Sequence, residues 1–151
     1  MIEIFTIKDN SVDMSFDFLP EFVWQRIGAE GYFTLLAIDK NEGQDDKFLG
    51  ITQFYVDMDE AGVFFAELGY IYVVKGERFK EIGLRLFHKV EEVLSAQNVD
   101  IITTALPFDK KGKLLSDVTE EEVRAFLREC GFIAAKGEDA PGGRLIKVTR
   151  R

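Results

Sequence analysis

The stretch FAELGYIYVVKGERFKEIGLRLF (65–87) changes its apolar period in the middle. Up to Val74 it runs through aromatic and β-branched residues, as a strand does. From Glu77 onward Phe79, Ile82, Leu86, Val90, Val93 and Leu94 recur at three- and four-residue steps, one apolar stripe of a helix reaching about Gln97. A strand that passes through a short charged turn straight into a helix aims unpaired backbone N–H groups and the positive end of the helix dipole at one spot. Such a spot suits a phosphate or pyrophosphate. Lys75, Arg78, Lys80, Arg85 and Lys89 stand here against Glu77 and Glu81, a local charge of +3 within 75–89.

Working outward, strands are expected at 2–7, 32–39, 48–59 and 63–74, with turn residues at 9–11 and a polar hairpin loop at 41–46. Short helical pieces broken at Pro20 fill 12–28. Beyond the long helix, NVDIITTAL (98–106) returns to strand and 108–117 reads as a polar loop. TEEE (119–122) forms a capping box that opens a second helix running to about Cys130, with Gly131 as its C-cap. Two last strands, 132–136 and 144–150, flank a turn at 141–143. Three consecutive strands with short loops indicate an antiparallel meander, and the strand-helix-strand passage at 63–106 indicates a parallel crossover. The expected fold class is therefore α+β, a mixed central sheet with helices on both faces.

A length of 151 residues fits a single domain over 1–151, and 46% apolar side chains suffice for a core. One cysteine, Cys130, excludes an intrachain disulfide and a cysteine-based zinc cage, and no metal site is expected. The N-terminus lacks a basic region followed by an apolar stretch, and no run approaches the ~18 apolar residues of a membrane span. The expected location is cytoplasmic. The formal charge of -8 disfavours nucleic acid and anionic membranes as partners. It is unevenly spread: residues 1–60 hold 13 acidic and 4 basic side chains, and residues 61–151 hold 14 and 15. A cationic amine would be drawn to the first segment and an anion to the turn at 75–89.

At that turn the sequence resembles the GCN5-related N-acetyltransferase (GNAT) family. The family's signature is a Val near the end of a strand followed by R/Q-x-x-G-x-G/A at the start of a helix. Here Val73 precedes Arg78, Phe79, Lys80, Glu81, Ile82 and Gly83, with Glu81 in place of the first Gly. LRECGF (127–132) is similar to the family's Gly-Phe before the penultimate strand, and the element order agrees over essentially the whole chain. The resemblance implies an acyl-CoA site that uses acetyl-CoA as cosubstrate. The pantetheine arm would lie between splayed strands 63–74 and 98–106, the pyrophosphate on the backbone of 78–83, and a strand bulge near Val73. It also implies acetyl transfer to a primary amine of a small molecule or peptide by direct attack, and a homodimer through the last strands.

Glu67 is the expected general base: it interrupts an apolar strand, FFAELGYIY, and matches a Glu of the family's histone-type branch. The place of the family's Tyr acid is taken by Leu127, beside Phe126. Tyr70 and Tyr72 are the substitutes within reach of the same strand. The two departures leave a second reading, a catalytically inactive acyl-CoA-binding or protein-interaction domain of the same fold. Trp24 with Phe16, Phe18 and Phe22 reads as pocket lining or as core. His88 reads as a surface residue and Cys130 as a small buried apolar group.

Overall fold

The computed structural model describes residues 1–7, 21–40, 43, 46–74, 79–105, 120–134 and 144–148, with Phe79, Lys80, Ala105 and Glu120 described by backbone alone. The expected helical pieces at 12–20, the loop 108–117, the turn at 141–143 and Arg78 lie outside the described residues.

Among the described residues seven strands form one sheet: β1 (Ile2–Ile7), β2 (Tyr32–Asp39), β3 (Lys47–Met58), β4 (Phe64–Val73), β5 (Ile101–Ala105), β6 (Ile133–Ala134) and β7 (Arg144–Val148). Their order is β1-β2-β3-β4-β5-β7-β6. β4 and β5 pair in parallel, and the other neighbours are antiparallel. The meander and the crossover expected from the sequence are both present. The β3–β4 turn is set by Asp59, whose Oδ1 accepts the N–H groups of Ala61 and Val63 at 2.9 Å each, with Gly62 at φ 83°.

Among the described residues three helices cover the sheet: α1 (Glu21–Arg26), α2 (Phe79–Ala96) and α3 (Glu120–Glu129). The stripe of α2 is buried at Ile82, Leu86, Val90 and Leu94, together with Phe87. It packs with Val123, Phe126 and Leu127 of α3 on Ala66, Leu68, Ile71 and Val73 of β4. Each such side chain withdrawn from water contributes ~1.5–3 kcal/mol. On the opposite face Val23 of α1 and Ile27, just after it, lie over Leu36, Ile38, Ile51 and Tyr70 in a second, smaller core.

Both long helices end the same way. After α2, Val99 N–H reaches Leu94 C=O (2.9 Å) and Asn98 N–H reaches Ser95 C=O (3.1 Å), with Asn98 at φ 61°. After α3, Phe132 N–H reaches Leu127 C=O (3.0 Å) and Gly131 N–H reaches Arg128 C=O (3.0 Å), with Gly131 at φ 101°. These are Schellman closures, and they confirm Gly131 as a C-cap.

Candidate active site

The site is organised by an irregularity in β4. Tyr70 pairs with Gln53 of β3, but Phe54 pairs with Leu68, so Gly69 is an extra residue in the ladder. The expected bulge near Val73 is thus corrected: Val73 pairs regularly with Gly50, and the bulge lies four residues earlier. Beside the bulge two threonine hydroxyls donate to backbone carbonyls of β4. Thr52 Oγ1 donates to Tyr70 C=O at 2.9 Å, and Thr104 Oγ1 of β5 donates to Leu68 C=O at 2.8 Å. Gln53 Nε2 ties the same region to α1 by donating to Val23 C=O at 2.8 Å and to Thr34 Oγ1 at 3.1 Å. Thr34, Thr52, Gln53 and Thr104 are the buried polar residues among those described, and all four meet here. Sequence reasoning missed them. Their signal was a polar interruption inside apolar strands, as in ITQF (51–54).

The extra residue changes which way Glu67 faces. Cross-strand partners share a face of the sheet, so Glu67, paired with Tyr55, stands on the α1 face, as does Tyr70, paired with Gln53. Without the bulge, residues 67 and 70 would face opposite ways. The Glu67 side chain is 43% exposed, with Arg144 Nη2 of β7 at 3.9 Å from its Oε1. The Tyr55 ring lies tilted at 45° against Tyr32 with centroids 4.8 Å apart, and Arg26 Cζ lies 5.2 Å from the Tyr32 ring and 4.7 Å from the Phe22 ring.

Glu67 also sits where two strands part. β4 and β5 are paired at Ala66 with Ile102 and at Glu67 with Thr103, and the ladder stops there although both strands continue. Past that point the N–H of Val74 turns to Leu49 C=O of β3 at 2.9 Å. Alternation then turns the N–H groups of Ile71 and Val73 to the other edge, toward the opening.

The N-terminus of α2 follows Val73 closely in the chain. Phe79 and Lys80 form its first turn, in which backbone N–H groups lack intrahelical partners. Glu81 is exposed, and Ile82 is buried in the core. Gly83 is buried under α3: a Cβ there would lie 2.6 and 2.8 Å from ring atoms of Phe126. Its missing side chain therefore admits the ring that joins the two helices.

Leu127 is fully buried and cannot act as an acid. Tyr70 is buried against Phe22 (ring centroids 5.8 Å), and Tyr72 stacks on Phe48 at 6.3 Å. His88 is exposed, as expected, and lines an open groove of about 630 Å³ with Ile4, Leu84, Arg85 and Cys130. No residue of β4 or β5 contributes to that groove, so it is separate from the bulge. Among the described residues no group of metal-ligating side chains occurs, and no helix is long and apolar enough to cross a membrane.

No protein-family model and no curated protein matches the sequence. Solved structures do match. An acetyltransferase of the GNAT family from Staphylococcus aureus Mu50 superposes with a TM-score of 0.63 at 19% identity, covering 99% of this chain and 100% of that one. Tetrahymena GCN5 gives 0.58 at 16% identity, covering 86% of this chain and 76% of that one. A chain of the NatC complex bound to Gag peptide and CoA gives 0.61 at 15% identity, covering 98% and 99%. With its antiparallel meander, its single parallel pair and helices on both faces, the chain has the fold of the GCN5-related N-acetyltransferases.

Proposed function

We propose that the protein is an N-acetyltransferase that moves an acetyl group from acetyl-CoA to a primary amine of a small molecule or peptide by direct attack. The observation that carries this reading is the position of Glu67, which the Gly69 bulge turns to the α1 face at the point where β4 and β5 part. A primary amine with a pKa of about 10.4 is unprotonated in about one molecule in 2,500 at pH 7, a handicap of roughly 4–5 kcal/mol. Glu67 relieves part of it by accepting the ammonium proton directly or through a water. The acidic excess of residues 1–60 favours a cationic acceptor over an anionic one. N–H groups at Ile71 and Val73 meet the negative charge that develops on the thioester oxygen as the amine attacks.

The residues present fit acetyl-CoA. Val73 and the opening between β4 and β5 would hold the pantetheine arm, and Arg78, Phe79, Lys80, Glu81, Ile82 and Gly83 the pyrophosphate. Glu81, being exposed, leaves the first-turn backbone approachable. A fold neighbour whose complex is bound to CoA supports an acyl-CoA as the cosubstrate. The coenzyme A thiol, with a pKa near ~8.5, leaves as thiolate with little assistance, so a buried Leu127 does not forbid the reaction.

The test is release of free thiol from acetyl-CoA against a panel of polyamines, aminoglycosides, amino acids and peptides. Glu67→Gln is expected to lower kcat by about 100-fold and to flatten the rise of rate with pH. An unchanged profile removes Glu67 as the base. A leucine at 127, where the resemblance expects a Tyr acid, favours a second reading, an inactive domain that binds acyl-CoA or a protein. Coenzyme A binding without thiol release across the whole panel would select it.

A further inference from the structure

Arg26 is one of 4 basic residues among the first 60, a segment with 13 acidic ones. An arginine in such surroundings ordinarily finds a carboxylate. Among the described residues none is paired with it. Its guanidinium instead lies against two aromatic rings, 4.7 Å from the centroid of Phe22 and 5.2 Å from that of Tyr32. It also reaches the bulge, where its Nη1 lies 3.1 Å from the position a Cβ on Gly69 would take. Ring contacts engage the faces of a guanidinium and leave its in-plane N–H donors unused. The side chain is half-buried, so these donors are fixed in direction before any ligand arrives. A planar fork of donors held in place matches a carboxylate.

We infer that Arg26 binds a carboxylate of the acceptor, so that the amine substrate is an amino acid or a similarly small zwitterion. This deepens the acetyl-transfer reading and rests on it for the position of the amine. Glu67 and Gly69 are two residues apart, at most about 7 Å along an extended strand. One small molecule can therefore place its ammonium group at Glu67 and its carboxylate at Arg26. Polyamines, which carry no anionic group, leave Arg26 unanswered. Among the described residues Arg144, 3.9 Å from Glu67, is a second cation at the site, and its guanidinium is directed at that carboxylate.

The experiment uses matched pairs of acceptors, each an amino acid and its decarboxylated amine, such as leucine with isoamylamine and lysine with cadaverine. The readout is the ratio of kcat/KM for the acid to that for the amine. For the wild-type chain at least one pair is expected to favour the acid by about 10- to 100-fold, the range of a charge-assisted pair of hydrogen bonds. R26Q should bring that ratio close to one, and R26K should retain an intermediate value. A wild-type ratio near one, a ratio untouched in R26Q, or a ratio lost in R144Q and kept in R26Q overturns the inference. Thermal melting confirms that the variants fold; if R26Q does not, the ratio in R26K decides. If no amine is acetylated, calorimetric binding of the same pairs in the presence of CoA separates the two claims. An Arg26-dependent preference for the acid then upholds the carboxylate site while the acetyl-transfer reading fails, and no preference overturns the carboxylate site itself.

Discussion

Cys130 is 8% exposed at the end of α3, where Lys147 donates to its carbonyl, pairs with Glu91 at 3.2 Å and covers the Phe87 ring at 5.0 Å. Burial pushes the thiol up to about 12, against the opposing pull of Lys147. The folded chain thus holds this proton more tightly than the unfolded chain does. Its contribution to stability is complete below the ordinary thiol pKa of about 8.5 and fades as pH rises toward 12. A thiol reagent at pH 8 should modify native Cys130 at least about 100-fold more slowly than the unfolded chain, because the thiolate is the reacting form. Equal rates would contradict the burial. At this scale the sequence is informative where a residue type conflicts with its neighbours. Glu67 conflicts with FFAELGYIY, and Thr52 with Gln53 conflicts with the apolar strand around them. Arg26 conflicts with nothing in EFVWQR, and only its spatial neighbours, two rings and a bulge, mark it out.

Elements meet at glycines whose roles differ. Gly83 was legible as a motif glycine at the start of α2, but its contact is with α3. Gly83→Ala gains up to ~1 kcal/mol of helix propensity and loses ~1–3 kcal/mol through overpacking against Phe126. A net destabilisation of about 1 kcal/mol is expected in urea unfolding, and Phe126→Leu in the same chain should recover part of it. A stabilised single variant would mean that the ring turns aside without cost. The period of α2, the capping box that opens α3, the closure at Gly131 and the short connection between the strands at 48–59 and 63–74 were all readable, because each depends on residues near one another in the chain. The Phe126 contact was not, since it joins residues 43 positions apart, Gly83 and Phe126, across two elements.

For the molecule as a whole, the excess of negative charge lies in residues 1–60, while the turn proposed for the pyrophosphate is the locally basic stretch. Coenzyme A at 100 times its Kd should stabilise the chain by about 2.7 kcal/mol, a rise in Tm of roughly 5–10 °C. The shift should shrink as salt is raised, because screening weakens the attraction between exposed charges. No shift at saturating coenzyme A would remove the cosubstrate from the proposal. By itself the sequence determined the order of elements, the apolar faces of the helices, the uneven charge and the presence of a lone carboxylate in a central strand. Only the tertiary structure decided where that carboxylate points. Side chains alternate along a strand, so one inserted residue reverses every face beyond it, and whether a residue is inserted is settled by the register between two strands. The insertion at Gly69 lets Ala66 and Leu68 join Ile71 and Val73 in one core while Glu67 and Tyr70 share the opposite face.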